Sequence, residues 1–526
     1  MEKADYVIVG SGINALVCAA MLALKGRKVL VLERNAEIGG CIRTEEMIAP
    51  SFVHDVMATT FVLFITGPAF AALGKELTAR GLEFCHSPHP TGVLLPDGRS
   101  LKLTMKRDEN VAAFAALDAE DGAQYRRDVE SIEREAGFLF GLLGGRLWSW
   151  STAKLMLKQA WARGLRGLAA YFGDAMTPTR GWLETSYRSD LFKALWAPWV
   201  LHLGLGPESA YSGKMTKVIA FATEAAGTPI VKGGAKNLLS AFRKLIEDKG
   251  GTIRTNADVV SIARDATGAA TSVTLANGEK IEAERGVICS TTPNQLYSRL
   301  LEPANVPADI AASVKAYRYG KGNMQIHYAL KSPPKWKTPG LGKVALLHLT
   351  PGLDAVSKAA NEAERGMLPE TPTICVGQPT ALDPSRCPDG AAILWLQLPE
   401  APRLIKGDAA GRIKTPADGK WTETLREAYA DRIEAILMAH IDGFAENIIG
   451  RRCYSPADLE AMNINLVGGD PYGGFCGLDQ FFAWRPFKSS VNHRTHVPRL
   501  YQIGASTHPG PGLGGGSGFL LANVLE

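Results

Sequence analysis

The 526-residue chain predicts an α/β protein in which a discontinuous nucleotide-binding domain carries an inserted α+β domain. Three observations predict it. A β-α-β unit with a Gly-rich turn opens the chain, a block of short strands follows Gly233-Gly234, and a further strand leads into a Gly-rich run near the C-terminus. The nucleotide domain is therefore assigned to 1-75, 228-300 and 490-526, and the inserted domain to 76-227 and 301-489. A chain of this length exceeds what one core usually organises.

In the opening unit, Tyr6–Val9 is a continuous apolar run, the pattern of a parallel strand buried on both faces. Ile13–Lys25, rich in Ala and Leu, predicts a helix, and Val29–Leu32 a second buried strand. Gly10-Ser11-Gly12-Ile13-Asn14-Ala15 joins strand to helix, the context that gives a G-x-G-x-x-A match its meaning. Gly10 permits the tight turn, Gly12 lets backbone approach a pyrophosphate, and Ala15 keeps the helix close to the sheet. Ile13 and Asn14 begin the helix, where free N–H groups and the dipole favour phosphate. Glu33 ends the second strand, placed to accept hydrogen bonds from ribose hydroxyls, and Arg34 follows it.

The middle block reads as an amphipathic helix, Leu238–Lys249, stopped by Gly250-Gly251. Strands Thr252–Thr255, Val259–Arg264, Ser272–Leu275, Lys280–Glu282 and Gly286–Ser290 follow, with Asn277-Gly278 as a type I′ hairpin signal. Residues from about 108 to 171 read as largely helical, whereas 301–489 alternates strands with Pro- and Gly-rich loops around one helix, Glu423–Ile441. Leu500–Ile503 is the last strand, and a short helix ends the chain.

The totals exclude several classes. A net charge of +5 with 21% charged residues gives no warrant for a nucleic-acid partner. The eight cysteines form no C-x-x-C pair and no histidines stand at metal-ligand spacing, so no metal is expected and a reducing compartment is. The first strand leaves no room for a signal peptide and no run reaches the roughly 18 apolar residues of a spanning helix, which predicts a cytoplasmic protein. Segment 146-172 joins Arg146, Lys154, Lys158, Arg163 and Arg166 to Trp148, Trp150 and Trp161 without an acidic residue. Basic residues on one face and Trp and Leu on another suit peripheral membrane contact, or equally a helical lid with a solvated basic face.

Glu33-Arg34-Asn35 followed by Gly39-Gly40 resembles the extended fingerprint of the amine-oxidase and phytoene-desaturase superfamily of flavoproteins. Gly504-Ala505-Ser-Thr-His508-Pro-Gly, continuing through Gly512 and Gly515, resembles the closing motif of the phytoene-desaturase branch. Lys232–Ala235, Asn256–Val260 and Leu478-Asp-Gln480 through Trp484-Arg-Pro486 fit the same branch. The resemblance implies a Rossmann-like FAD-binding domain of the glutathione-reductase type. In it Gly39 and Gly40 pass close to the flavin, Val260 lies in the adenine segment, and Gly504, Ala505, Gly512 and Gly515 border the pyrimidine edge. Thr59 belongs to the stretch that approaches the flavin. Most relatives place Arg directly after the paired glycines; here Cys41 stands there and Arg43 is the nearest arginine.

The implied activity is that of an FAD-dependent oxidoreductase that desaturates, or isomerises, a C–C bond of an apolar substrate by hydride transfer to flavin. No second fingerprint offers a nicotinamide site, so electrons are expected to pass to dioxygen or a quinone. His508 is the candidate catalytic residue, suited to proton transfer, with a structural role in the Gly-rich loop as the other reading. His54-Asp55 is a second candidate near the flavin, with a buried histidine satisfied by its carboxylate as the favoured reading, and Gln325, rather than Lys321, takes the register of the water-activating lysine of amine oxidases. A flavin amine oxidase, and a non-catalytic protein of the GDP-dissociation-inhibitor kind, are the alternatives.

Overall fold

A computed structural model describes residues 2–525. Two seven-stranded sheets organise it. In the first, Glu2–Val9 is central, with Val29–Leu32 and Lys280–Ser290 parallel on either side. Thr252–Arg254 extends one edge and Leu500–Ile503 pairs parallel with Lys280–Ser290, so beginning, middle and end of the chain share one sheet. The helix Ile13–Leu24 is buried from Ile13 to Ala23. Its Ala- and Leu-rich surface allows close approach on every side, and Lys236–Asp248 and Gly516–Ala522 pack against it.

The second sheet runs in the order Ile448–Tyr454, Gly322–Leu330, Ala392–Ala401, Ile374–Gly377, Val344–Leu349, His89–Leu94 and Ser100–Lys102. One face, including Met324, Ile326, Leu394 and Leu396, joins a core with Tyr429 and Ile433 of the helix Glu423–His440. The opposite face turns toward Trp196 and Trp199, at the end of Asp190–Trp196 and in the 3-10 segment Ala197–Leu203.

Several expected elements change. Lys280–Glu282 and Gly286–Ser290 are one strand, Lys280–Ser290, because residues 281–283 pair on one side with Glu2–Ala4. The hairpin at Asn277-Gly278 is not type I′: only Gly278 has positive φ, +88°, in a loop closed by Leu275 N–H to the Glu279 carbonyl. Helices Ala308–Ala316 and Leu353–Glu364 add to the one expected in 301–489. The second buries Leu353, Val356, Ala359, Ala360 and Ala363, a helical stripe made faint in the sequence by its small alanines.

Helix Trp150–Ala175 breaks its geometry at Gly164 (φ +69°), and of its residues only Tyr171 is buried. Its Trp and basic residues share the exposed surface instead of dividing between two faces. Trp150, Leu157 and Trp161 are exposed beside Lys154 and Lys158, Lys154 lying over the Trp150 ring. Arg163 instead turns to Glu135 and Tyr171. Among the described residues, no helix is long and apolar enough to cross a membrane.

Candidate active site

The Gly-rich turn is built for close backbone approach. Gly10 has φ +90°, and a Cβ there would stand 3.2 Å from the Ser290 carbonyl oxygen. The helix opens at Gly12 without a side-chain cap, which leaves its first N–H groups, at Ile13 and Asn14, for an anionic ligand. Gly39 bridges to Gly12, and a Cβ on Gly40 would lie 3.3 Å from Gly12 Cα. Glu33 is buried: one carboxylate oxygen accepts from Ser11 N–H (3.1 Å) and the Ser11 hydroxyl (2.6 Å), the other from Asn35 N–H (2.9 Å). Arg34 is exposed. Ala257 N–H donates to the Glu33 carbonyl at 2.8 Å, bringing the segment that leads to Val260 beside the acid; Val260 itself is exposed.

Other expected residues divide. Arg43 is paired with Glu45. Asn463, which the sequence did not single out, stands at the paired glycines, its amide nitrogen 3.8 Å from Cys41 Sγ. Gly504 (φ +108°) lies against Ser290, and the Ala505 carbonyl accepts from Arg485 Nε at 2.8 Å. Gly512 (φ +119°) and Gly515 (φ +68°) face Leu63 and Val17, where a Cβ would come within 2.6 Å of each. The link between start and finish is Asn14, whose Oδ1 accepts from the Ser517 hydroxyl (2.8 Å) and Ser517 N–H (3.1 Å).

Asp55 is the hub of the segment that carries Thr59. It accepts from Arg386 (2.6 Å), Ala235 N–H (2.8 Å), Thr44 (2.7 Å) and Thr59 (3.3 Å). Its carboxylate is therefore not the partner of His54, and both His54 ring nitrogens are buried without a hydrogen bond. The expected His54-Asp55 pairing fails because the fully buried Arg386 guanidinium takes the carboxylate.

Burial pushes several imidazoles down: His54, His493 and His508 to about 4 and His327 to about 3. His508 Nε2 meets the Gly145 carbonyl at 2.9 Å and its Nδ1 has no partner. These groups bind protons in the unfolded chain at pH values where the native fold keeps them neutral, so stability falls as pH drops from about 6.5 toward 4. The expected slope is up to about 1.4 kcal/mol per histidine per pH unit, and denaturant unfolding at pH 7 and pH 5 checks it; equal stabilities would contradict it.

Lys321 bonds Glu364 at 2.7 Å, whereas Gln325 lies inside the strand with Oε1 unpaired. Sequence spacing announced no metal ligands, yet the fold gathers His202, His348 and Cys375 with ligand atoms within 4.8 Å of one another.

A nucleotide sheet with a bare helix N-terminus, paired glycines packed on it and a Gly-rich closing loop define a dinucleotide-binding flavoprotein. The family model "Flavin containing amine oxidoreductase" matches residues 16–394, and the chain belongs to that family. It is an FAD-dependent oxidoreductase of the amine oxidase and phytoene desaturase superfamily. It is similar to pyridine nucleotide-disulfide oxidoreductase domain-containing protein 2 of Mus musculus, 26% identical over 99% of this chain and 93% of the relative. A limonene dehydrogenase polypeptide of Castellaniella defragrans is 23% identical over 100% and 95%. The zeta-carotene-forming phytoene desaturase of Myxococcus xanthus is 25% identical over 96% and 90%. Cyclohexylamine oxidase of Brevibacterium oxydans shares the fold, with TM-score 0.59 and 18% identity over 99% of this chain and 98% of that one.

Proposed function

We propose that this protein desaturates a C–C bond of a lipophilic small molecule, with dioxygen or a quinone as electron acceptor. The observation that carries the reading is near-full-length similarity to proteins named desaturase and dehydrogenase, combined with a final helix, entered from the Gly-rich loop, docked on the fingerprint helix. The same reading divides the chain into an FAD domain (1-75, 228-300, 490-526) and a substrate domain (76-227, 301-489). FAD supplies the two-electron acceptor. Gly12, Ile13 and Asn14 hold its phosphates, Glu33 its ribose, Gly39 and Gly40 its approach to the flavin, and Gly504 and Ala505 its far edge.

His508 is the candidate base. Its Nε2 is fixed by the Gly145 carbonyl, which leaves Nδ1 as the basic atom. His508→Ala is expected to slow flavin reduction about 100-fold while FAD stays bound; an unchanged rate removes His508 from the chemistry. Anaerobic bleaching of the flavin by a panel of alkenes, cyclic ketones and amines tests the whole reading. Bleaching by amines alone would replace it with amine oxidation, and a colourless protein that refuses FAD would end it.

The exposed Trp150, Leu157 and Trp161 beside Lys154 and Lys158 support peripheral contact with an anionic membrane, from which a lipophilic substrate would be drawn. Flotation with phosphatidylserine vesicles at low salt should carry the protein upward, and Trp161→Ser with Lys158→Glu should abolish it. A wild-type protein that stays with the soluble fraction would refute the contact.

A further inference from the structure

Resting on the desaturase reading above, we infer that the substrate is a neutral lipophile bearing a hydroxyl group, which donates to Gln325 within a polar row shared with Gln397 and His348. These residues come from three strands of the second sheet. Its registers place Gln325 opposite Gln397, Gln397 opposite Cys375, and Cys375 opposite His348, so the four side chains form one row on one face. Alternation puts His327, two residues from Gln325, on that face as well.

This face adjoins the segment that approaches the flavin. His327 Nε2 meets the Val56 carbonyl at 3.1 Å, and Trp395 Nε1 donates to the Met57 carbonyl at 3.1 Å. A layer so placed would ordinarily be apolar if it met only hydrocarbon. Instead Gln325 Oε1, His327 Nδ1 and His348 Nδ1 are buried without partners, on residues no more than 3% exposed. His348 Nε2 is taken by His202 Nε2 at 2.9 Å, so the pair fixes the ring and leaves Nδ1 as the unsatisfied atom. Buried polar atoms are costly unless hydrogen-bonded.

A pure hydrocarbon would leave them unpaired. An ammonium or carboxylate would find no carboxylate or guanidinium in the row, which consists of amides, a thiol and imidazoles. A hydroxyl group can donate to Gln325 Oε1 without adding charge, while the rest of the molecule lies against Trp395 and Trp199, which belong to the same apolar cluster.

The test uses FAD-loaded full-length protein and two matched pairs, limonene with carveol and tridecane with 2-tridecanol. Binding is read from the perturbation of the oxidised flavin spectrum, and reduction separately under anaerobic conditions. The oxygenated partner of at least one pair is expected to bind at least about tenfold more tightly. Gln325→Leu combined with Gln397→Leu should bring that ratio close to one in a protein that still holds FAD. Equal binding within both pairs, or no binding by any of the four, overturns the inference on wild-type protein alone. A preference for the alcohols without any flavin reduction keeps this inference and counts instead against desaturation.

Discussion

Arg386→Met is expected to destabilise the protein by about 3–5 kcal/mol and to yield flavin-poor protein. Arg386 is fully buried, and its guanidinium reaches Asp55 at 2.6 Å, Asp383 at 3.2 Å and the Val231 carbonyl at 2.5 Å. Removing it leaves two buried carboxylates without a counter-charge, the case in which breaking an ion pair is most costly. The damage spreads because Asp55 also fixes Thr44, Thr59 and Ala235 N–H, while Asp383 fixes Gly233 N–H at 2.6 Å. Those contacts tie the stretch after the paired glycines to the loop that opens helix Lys236–Asp248. Adding Asp55→Asn should recover part of the loss, since it removes one stranded charge. Urea unfolding together with flavin absorbance after purification measures both effects. A single variant within about 1 kcal/mol of wild type, the size of an ordinary surface change, would show that the network carries little.

What the sequence disclosed, and what it withheld, follows from how local the signals are. Tyr6–Val9 and Val29–Leu32 are short continuous apolar runs and Leu500–Ile503 is apolar but for Gln502, and each pairs parallel in the first sheet. Family and cofactor were legible for the same reason: backbone close to a dinucleotide demands glycine at fixed offsets, and only a turn between strand and helix supplies the setting. Arg386 was not legible, because its partners Asp55 and Val231 lie 331 and 155 positions away. Nor was the polar row, since Gly322–Leu330 is buried throughout and its alternation has no exposed side to reveal it. His202 and His348 meet across 146 positions, and a spacing rule for metal ligands sees neither. Gly512 and Gly515 were expected at the pyrimidine edge from the resemblance of the closing motif, and the neighbours Leu63 and Val17, remote from them in the chain, could not be read from it.

Gly518→Ala is expected to weaken FAD binding by about thirtyfold, equivalent to about 2 kcal/mol, although alanine is the better helix former. Gly518 lies within the final helix, Gly516–Ala522, and a Cβ there would stand 1.9 Å from the Asn14 carbonyl oxygen. That neighbour is backbone of the fingerprint helix, so it cannot swing aside as a side chain would. Relief requires the final helix to withdraw, which stretches the bonds from Ser517 to Asn14 Oδ1 and moves the Gly504–Gly515 loop that precedes it. Gly173→Ala gives the opposite case: it lies in helix Trp150–Ala175 with nothing within 4 Å of the added atom. There the gain in propensity, up to about 1 kcal/mol, should appear as a small stabilisation with flavin content unchanged. Ser517→Ala separates sterics from hydrogen bonding, with an expected loss of about 1 kcal/mol. Isothermal titration of apoprotein with FAD distinguishes the three. If Gly518→Ala bound FAD as tightly as Gly173→Ala, helix contact at Asn14 would not be what closes the cofactor site.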